Sequence, residues 1–160
     1  MKVIEVFTDG SSMKKTFKMA GYGIYFPNKE LPNVSRSFKH PQLTNQRAEL
    51  YAIYVALILI KNNLDYDKIK IYTDSEYSIK SLTIWAYDWE KNRWKTASGT
   101  KVKNQDIIKP VFDILKKMTG KIEMTHVMSH TGKTDYMSLG NAMADKLATD
   151  GARKTRIKND

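Results

Sequence analysis

A chain of 160 residues with 41% hydrophobic and 28% charged side chains is long enough to bury one full core and does not call for a second domain. Its 27 Lys and Arg against 17 Asp and Glu leave a net charge of +10, which suits a polyanionic partner, either nucleic acid or a membrane surface. The lack of cysteine excludes disulfides and thiolate metal sites, leaving carboxylate, imidazole and water as donors, a set that favours hard cations.

Residues 3–8 are rich in β-formers and run into Asp9-Gly10-Ser11-Ser12, which has turn chemistry, so a first strand is expected to end with Asp9 at its carboxyl end. Gly21 to Phe26 and Val34 to Phe38 are expected to add two short strands around Pro27-Asn28, making an antiparallel meander with the first. Thr44 can cap a helix from Asn45 to about Lys61, closed by Asn62-Asn63, with Glu49 in its early turns. Lys68 to Thr73 repeats the first strand's ending, running into Asp74-Ser75 before a helical pattern resumes at Glu76.

From Trp85 to Lys103 the three tryptophans mix with Lys and Arg, and Asn104 to Met118 reads as a further helix stopped by Gly120. Ile122 to Met128 is expected as a fifth strand, Ser129 to Leu139 as a mobile polar loop, and Gly140 to about Arg153 as an Ala-rich closing helix. These elements predict a single α/β domain over residues 1–155, a mixed five-stranded sheet (three antiparallel strands plus two parallel) flanked by helices, with a frayed tail at 156–160. The N-terminus has no long apolar run or small-residue cleavage pattern, and no stretch is long enough to span a bilayer; a cytoplasmic protein with no membrane attachment is expected.

Two-metal hydrolysis of a phosphodiester requires several carboxylates around cations roughly 3.5–4 Å apart. If the first and fourth strands are parallel neighbours, Asp9 and Asp74 lie about one strand spacing apart, roughly 4.8 Å, at the carboxyl edge where open sheets bind ligands. Glu49 can reach back over that edge, and Asp145 shares a helix face with Asn141, four positions before it. Taken singly, each acid has an ordinary structural role: Asp9 in a turn, Asp74 as a helix cap, Glu49 and Asp145 as solvated helix positions.

Four strings change that balance: Thr8-Asp9-Gly10-Ser11, Thr44-Asn45-Gln46-Arg47-Ala48-Glu49-Leu50, Tyr72-Thr73-Asp74-Ser75 and Asn141-Ala142-Met143-Ala144-Asp145. With Trp94-Lys95-Thr96 and Ser129-His130-Thr131-Gly132 between them, they resemble the cellular ribonuclease H type 1 family in order and spacing over nearly the whole chain. The resemblance implies a ribonuclease H-like fold and an endonuclease that hydrolyses the RNA strand of RNA/DNA hybrids, leaving 5′-phosphate and 3′-hydroxyl ends with little regard to sequence. It implies that Asp9, Glu49, Asp74 and Asp145 hold two Mg²⁺ ions, for which Mn²⁺ can substitute, and that His130 assists proton transfer or product release. His40 and His126 have no motif around them and are read as structural.

The same resemblance puts Tyr77, Trp85 and Trp89 along a DNA-strand channel, Thr44 and Asn104 around a DNA phosphate, and Gly10, Ser11, Ser12, Asn45 and Gln46 against RNA 2′-hydroxyls. Lys91, Arg93 and Lys95 interleave with the tryptophans as a groove that tracks a nucleic-acid backbone would require, although Trp85 and Trp89, four apart, also suit the core-facing side of a helix. The chain departs from the family pattern at Met13 to Met19, where a Gly/Pro-rich turn is common, at Gln42, where some members carry arginine, and in a longer loop between His130 and Asn141. A stand-alone monomer is expected; the alternatives are a domain attached to a reverse transcriptase, a module that binds hybrids or duplex RNA without cutting, and a junction nuclease of the wider fold.

Overall fold

The computed structural model describes the backbone of residues 1–14 and 18–159, and side chains for 1–13 and 18–154. In chain order the elements are β1 (Val3–Lys14), β2 (Lys18–Tyr25), β3 (Val34–Ser37), α1 (Asn45–Asn63), β4 (Lys68–Thr73), α2 (Glu76–Lys80), a π-helical turn (Ser81–Trp85), α3 (Ala86–Lys91), α4 (Gln105–Lys117), β5 (Ile122–His126) and α5 (Tyr136–Asn159). The sheet runs β3-β2-β1-β4-β5, antiparallel from β1 through β2 to β3 and parallel from β1 through β4 to β5. This is the mixed sheet that the sequence predicts, with β1 and β4 as parallel neighbours.

Alternation along β1 explains how one strand serves two layers. Ile4 and Val6 join the main core with Ile24, Ile69, Ile71 and the buried stripe of α1, Leu50, Ile53, Leu57 and Ile60. Phe7 points to the opposite face and packs in a smaller cluster with Tyr72, Val127 and Ala144. The sheet is therefore covered on one face by α1 and on the other by α5.

Three expected boundaries are corrected, and two of the corrections concern glycine. Asp9-Gly10-Ser11-Ser12 is no turn: β1 continues to Lys14, pairing Asp9 with Gly23 and Gly10 with Tyr22. Gly10 is there because α1 lies so close that a Cβ would sit 2.3 Å from the Glu49 backbone nitrogen. Likewise α5 starts at Tyr136, not Gly140, and its backbone is helical to Asn159, beyond Arg153. The Asp135 carboxylate accepts from the Ser138 N–H at 3.3 Å and caps this start, while Gly140 lies inside the helix because the Phe7 ring leaves no room for a Cβ. The third correction is β5, which ends at His126; Met128 is exposed.

Other expectations need only local adjustment. Thr44 caps α1, accepting from the Arg47 N–H at 3.2 Å, but Asn62 and Asn63 belong to the last turn, and the Leu64 N–H closes the helix on Ile60. The departure at Met13 to Met19 falls partly on residues 15–17, outside the described residues; on either side Met13 pairs with Met19 and Lys14 with Lys18. Among the described residues, no helix is long and apolar enough to cross a membrane.

The α5 layer is seated on β2 through Gly21 and Gly23, where an added Cβ would come within 2.1 Å of the Ala152 nitrogen and 2.5 Å of the Ala144 carbonyl oxygen. Because backbone rather than a movable side chain stands in the way, Gly21→Ala should lower the unfolding free energy by about 1–3 kcal/mol. Urea denaturation measures this, and an unchanged midpoint would show that α5 is not seated at this depth.

Candidate functional site

The parallel pairing of β1 with β4 stops at Phe7 and Tyr72, whereas β1 remains paired with β2 far beyond. Asp9 therefore lies just past the point where β1 outruns β4, and Asp74 lies one residue past the end of β4 at the same edge. Glu49 comes over this edge from the second turn of α1, held there by the close approach at Gly10. One carboxylate oxygen from each of Asp9, Glu49 and Asp74 falls within 4.8 Å of the others. Asp145 stands outside that triad and meets Asp9 from α5, close enough for a side-chain hydrogen bond.

Neighbouring groups aim these carboxylates. The Gly10 N–H donates to Asp9 Oδ1 at 2.9 Å, and Asn141 Nδ2 donates to Asp74 Oδ2 at 3.2 Å. The Ser75 hydroxyl lies within hydrogen-bonding range of Glu49. Sequence reasoning treated Asn141 and Ser75 only as parts of motifs. Their spacing was the available signal, since Asn141 precedes Asp145 by one helical turn and Ser75 follows Asp74.

The electrostatics are those of a site lacking positive charge. Burial, followed by the charge of Asp74, the hydrogen bond with Asp145 and the charges of Glu49 and Asp145, pushes the Asp9 carboxyl up to about 9. Burial also pushes Glu49 up to about 7; the Ser75 hydroxyl opposes this and the Asp74 charge adds to it. Among the described residues, no basic side chain is a cause of either shift. A buried carboxylate cluster of this kind fits a hard divalent cation, which takes oxygen donors and would restore the missing charge.

Most of the other predicted residues lie along β1, at the start of α1 and between α2 and α4. Asn45 Oδ1 accepts from the Ser12 N–H at 2.6 Å, tying the Gly10-Ser11-Ser12 stretch of β1 to the start of α1, with Gln46 half-buried next to it. Asn104, in a left-handed conformation at the N-terminus of α4, is buried and fixed at both ends of its amide. Its Oδ1 accepts from Arg47 at 3.3 Å and its Nδ2 donates to the Tyr77 hydroxyl at 3.0 Å. Arg47, absent from the predicted site, is buried and makes a two-pronged ion pair with Asp106, at 2.9 and 2.7 Å, that holds the Asp106 carboxyl below its ordinary value.

The three tryptophan rings differ in burial. Trp94 is buried and Trp89 packs on the core, whereas Trp85 is 37% exposed, 6.2 Å from Tyr77 and 5.9 Å from Trp89. Lys91 and Arg93 are exposed around the end of α3, and Lys95, also exposed, bridges to Lys101. Gln42 is exposed with a left-handed backbone. His130 is exposed on the loop that precedes α5 and also has positive φ. His40 stacks on Phe38 at 4.8 Å, and His126 is exposed at the end of β5.

Known proteins are similar to this chain in sequence and in fold. The RNase H family profile matches residues 1–153. A "Probable ribonuclease H" of Acanthamoeba polyphaga mimivirus is 40% identical over 136 residues, covering 84% of this chain and 58% of that protein. A "Ribonuclease H" of Actinobacillus pleuropneumoniae is 34% identical over 160 residues, covering 99% of this chain and 96% of its own. Among solved structures, the PFV RNase H domain is similar with a TM-score of 0.73 and 27% identity, covering 94% of each chain. The chain thus spans little more than half the length of the mimivirus relative.

Raised carboxyl pKa values mean that the folded state holds these protons more tightly than the unfolded chain does. The stability so contributed is complete below the ordinary values of 3.8 and 4.5 and is lost as pH rises through about 7 for Glu49 and about 9 for Asp9. In the absence of divalent cations, Asp9→Asn should therefore be more stable than the parent near pH 9, by at least about 1 kcal/mol or roughly 3 °C in Tm. The gain should shrink toward pH 4, as followed by thermal unfolding across pH. A variant less stable than the parent at pH 9 would contradict the electrostatics described here.

Proposed function

From the membership of this chain in the RNase H family, shown by the match over residues 1–153 and the 34% identity with a relative it covers almost completely, we propose that it hydrolyses the RNA strand of RNA/DNA hybrids at the Asp9 centre. The observation that carries this reading is the convergence of three sequence-distant carboxylates within 4.8 Å, with no basic side chain to balance them.

Asp9, Glu49, Asp74 and Asp145 would hold two Mg²⁺ ions, with Mn²⁺ able to substitute. Bound there, the ions supply Lewis acidity, a more acidic water and neutralisation of charge on the phosphate. The chain's own work is placement: Asn141 keeps Asp74 turned toward the centre, Ser75 does the same for Glu49, and the Gly10 N–H fixes one Asp9 oxygen. Water bonds to the phosphorus as the P–O3′ bond breaks and O3′ takes up a proton, which leaves 5′-phosphate and 3′-hydroxyl ends. His130, on an exposed loop beside α5, is the imidazole suited to proton transfer to the departing product.

Substrate choice would follow from the surface beside the centre. The RNA strand lies over Gly10, Ser11 and Ser12, with Asn45 and Gln46 reading 2′-hydroxyls. The DNA strand passes Tyr77, Trp85 and Trp89, with a phosphate at Thr44 and Asn104. With Arg47 at the Asn104 Oδ1 and Tyr77 accepting one Nδ2 proton, the second amide proton would be the one to donate to a phosphate oxygen. None of these groups reads a base edge, so cutting should depend little on sequence.

The parent protein should cut the labelled RNA strand of a hybrid when Mg²⁺ or Mn²⁺ is present, and Asp74→Asn should lose cutting by orders of magnitude while still binding. Undiminished cutting by Asp74→Asn would sink the mechanism, and cleavage of duplex DNA in preference to hybrid would sink the substrate. Changing Lys91 and Lys95 to Ala, or Trp85 to Ala, should raise KM and flatten its salt dependence with kcat preserved. Steady-state kinetics at several salt concentrations decide this, an unchanged KM returning these residues to a structural role.

A further inference from the structure

At the β3 edge of the sheet, away from the carboxylates, lies a cavity of about 240 Å³. Its walls come from four elements and one connection: Tyr22 of β2, Arg36 of β3, Lys39 and His40 beyond β3, Tyr51 of α1 and Lys154 of α5. Among the described residues, no carboxylate lines it. Among the described residues, neither Arg36 nor Lys154 forms an ion pair with an acid. Arg36, Lys39 and Lys154 thus bring three cationic side chains of a basic chain to one concave site.

The donors are built in. Tyr22 is only 5% exposed, and its hydroxyl oxygen is hydrogen-bonded by Arg36. Burial raises the Tyr22 pKa, so the hydroxyl stays neutral and keeps a proton to donate. Lys154 Nζ donates to the Ser35 carbonyl at 2.6 Å, which carries its charge across from α5 to β3. The His40 ring is set against Phe38 and Tyr51, with centroids at 4.8 Å from each, and forms a fixed wall. Forked guanidinium, ammonium and hydroxyl donors arriving from several elements suit a tetrahedral oxyanion better than a planar carboxylate, which offers only two oxygens.

His40 and Tyr51 also border a second cavity, of about 310 Å³, that reaches Asp106. Asp106 is paired with Arg47, which in turn contacts Asn104. A continuous surface thus leads from the Asn104 region to the cationic cavity. We propose that this cavity is a phosphate-binding site, taking either a backbone phosphate of a nucleic-acid strand that continues past Asn104 or a free phosphate group. The nucleic-acid form rests on the hydrolase reading above; the free form does not.

Two measurements without divalent cation test the site. Inorganic phosphate, titrated at constant ionic strength into the ¹⁵N-labelled parent, should shift the Arg36 side-chain and neighbouring amide resonances. Those shifts should vanish in a double variant, Arg36→Gln with Lys154→Gln, and weaken in Tyr22→Phe, which keeps every charge. Hybrid affinity, measured in an Asp74→Asn background across salt concentrations, should lose about one unit of log–log slope in the double variant, as removal of one phosphate contact requires. In the otherwise unaltered enzyme the same double variant should leave kcat on saturating hybrid unchanged.

Phosphate shifts with an unaltered salt slope would establish the site as one for free phosphate. A reduced slope together with the shifts establishes the strand phosphate. No phosphate shifts and no change in slope overturns the proposal. If the parent fails to cut hybrids at all, the hydrolase reading falls while the phosphate titration still decides the cavity.

Discussion

The whole arrangement depends on how closely two helices approach one pair of strands. At Gly10 the backbone of α1 lies where a side chain would otherwise be, and at Gly21 and Gly23 the backbone of α5 does the same on the opposite face. These contacts set the depth at which Glu49 and Asp145 reach Asp9 on β1. A helix raised by the thickness of one methyl group would still bury an apolar face, but its carboxylate would stand off from Asp9. Packing density in the sheet layers and the geometry of the acid cluster are thus one constraint seen from two sides.

That constraint places charge where folding alone would not. Asp9 is 3% exposed and faces three other acids, and its proton affinity rises because nothing in the protein compensates for the lost water. Elsewhere the chain handles buried charge differently. Arg47 is as deeply buried, yet it has Asp106 and Asn104 as partners and so serves to join α1 to α4 and to lock the Asn104 amide. Buried charge balanced internally is a brace; left unbalanced at a solvent-facing edge, it marks a place for an external ion.

Much of this was legible in the sequence. The order of strands and helices followed from β-rich runs that end in Asp9 and Asp74, and from a capped helix beginning at Thr44. The acids could be located from their place at strand ends and helix turns. Glycine misled the local reading, because Gly10 resembles a turn residue and Gly140 a helix boundary, but both are present for lack of a side chain against Glu49 and Phe7. Only a three-dimensional neighbour distinguishes those two uses. The Arg47–Asp106 pair was hidden for a related reason, since 59 positions separate its members and either alone looks like a solvated charge. The tryptophans show the same limit: spacing marked Trp85 and Trp89 as sharing a face, but only the fold shows that Trp89 turns inward and Trp85 outward.

The unequal lengths of β1 and β4 give the carboxylates unequal freedom. Asp9 sits within a strand still hydrogen-bonded to β2, whereas Asp74 follows the last residue of β4 and is steadied by one amide from Asn141. Asp145 and Glu49 are carried by the helices α5 and α1. The centre is therefore a fixed post with a jointed arm beside it: a guest arriving at the edge finds one donor whose position is settled by the sheet, and adjustment to its size falls to the residue at the strand's loose end.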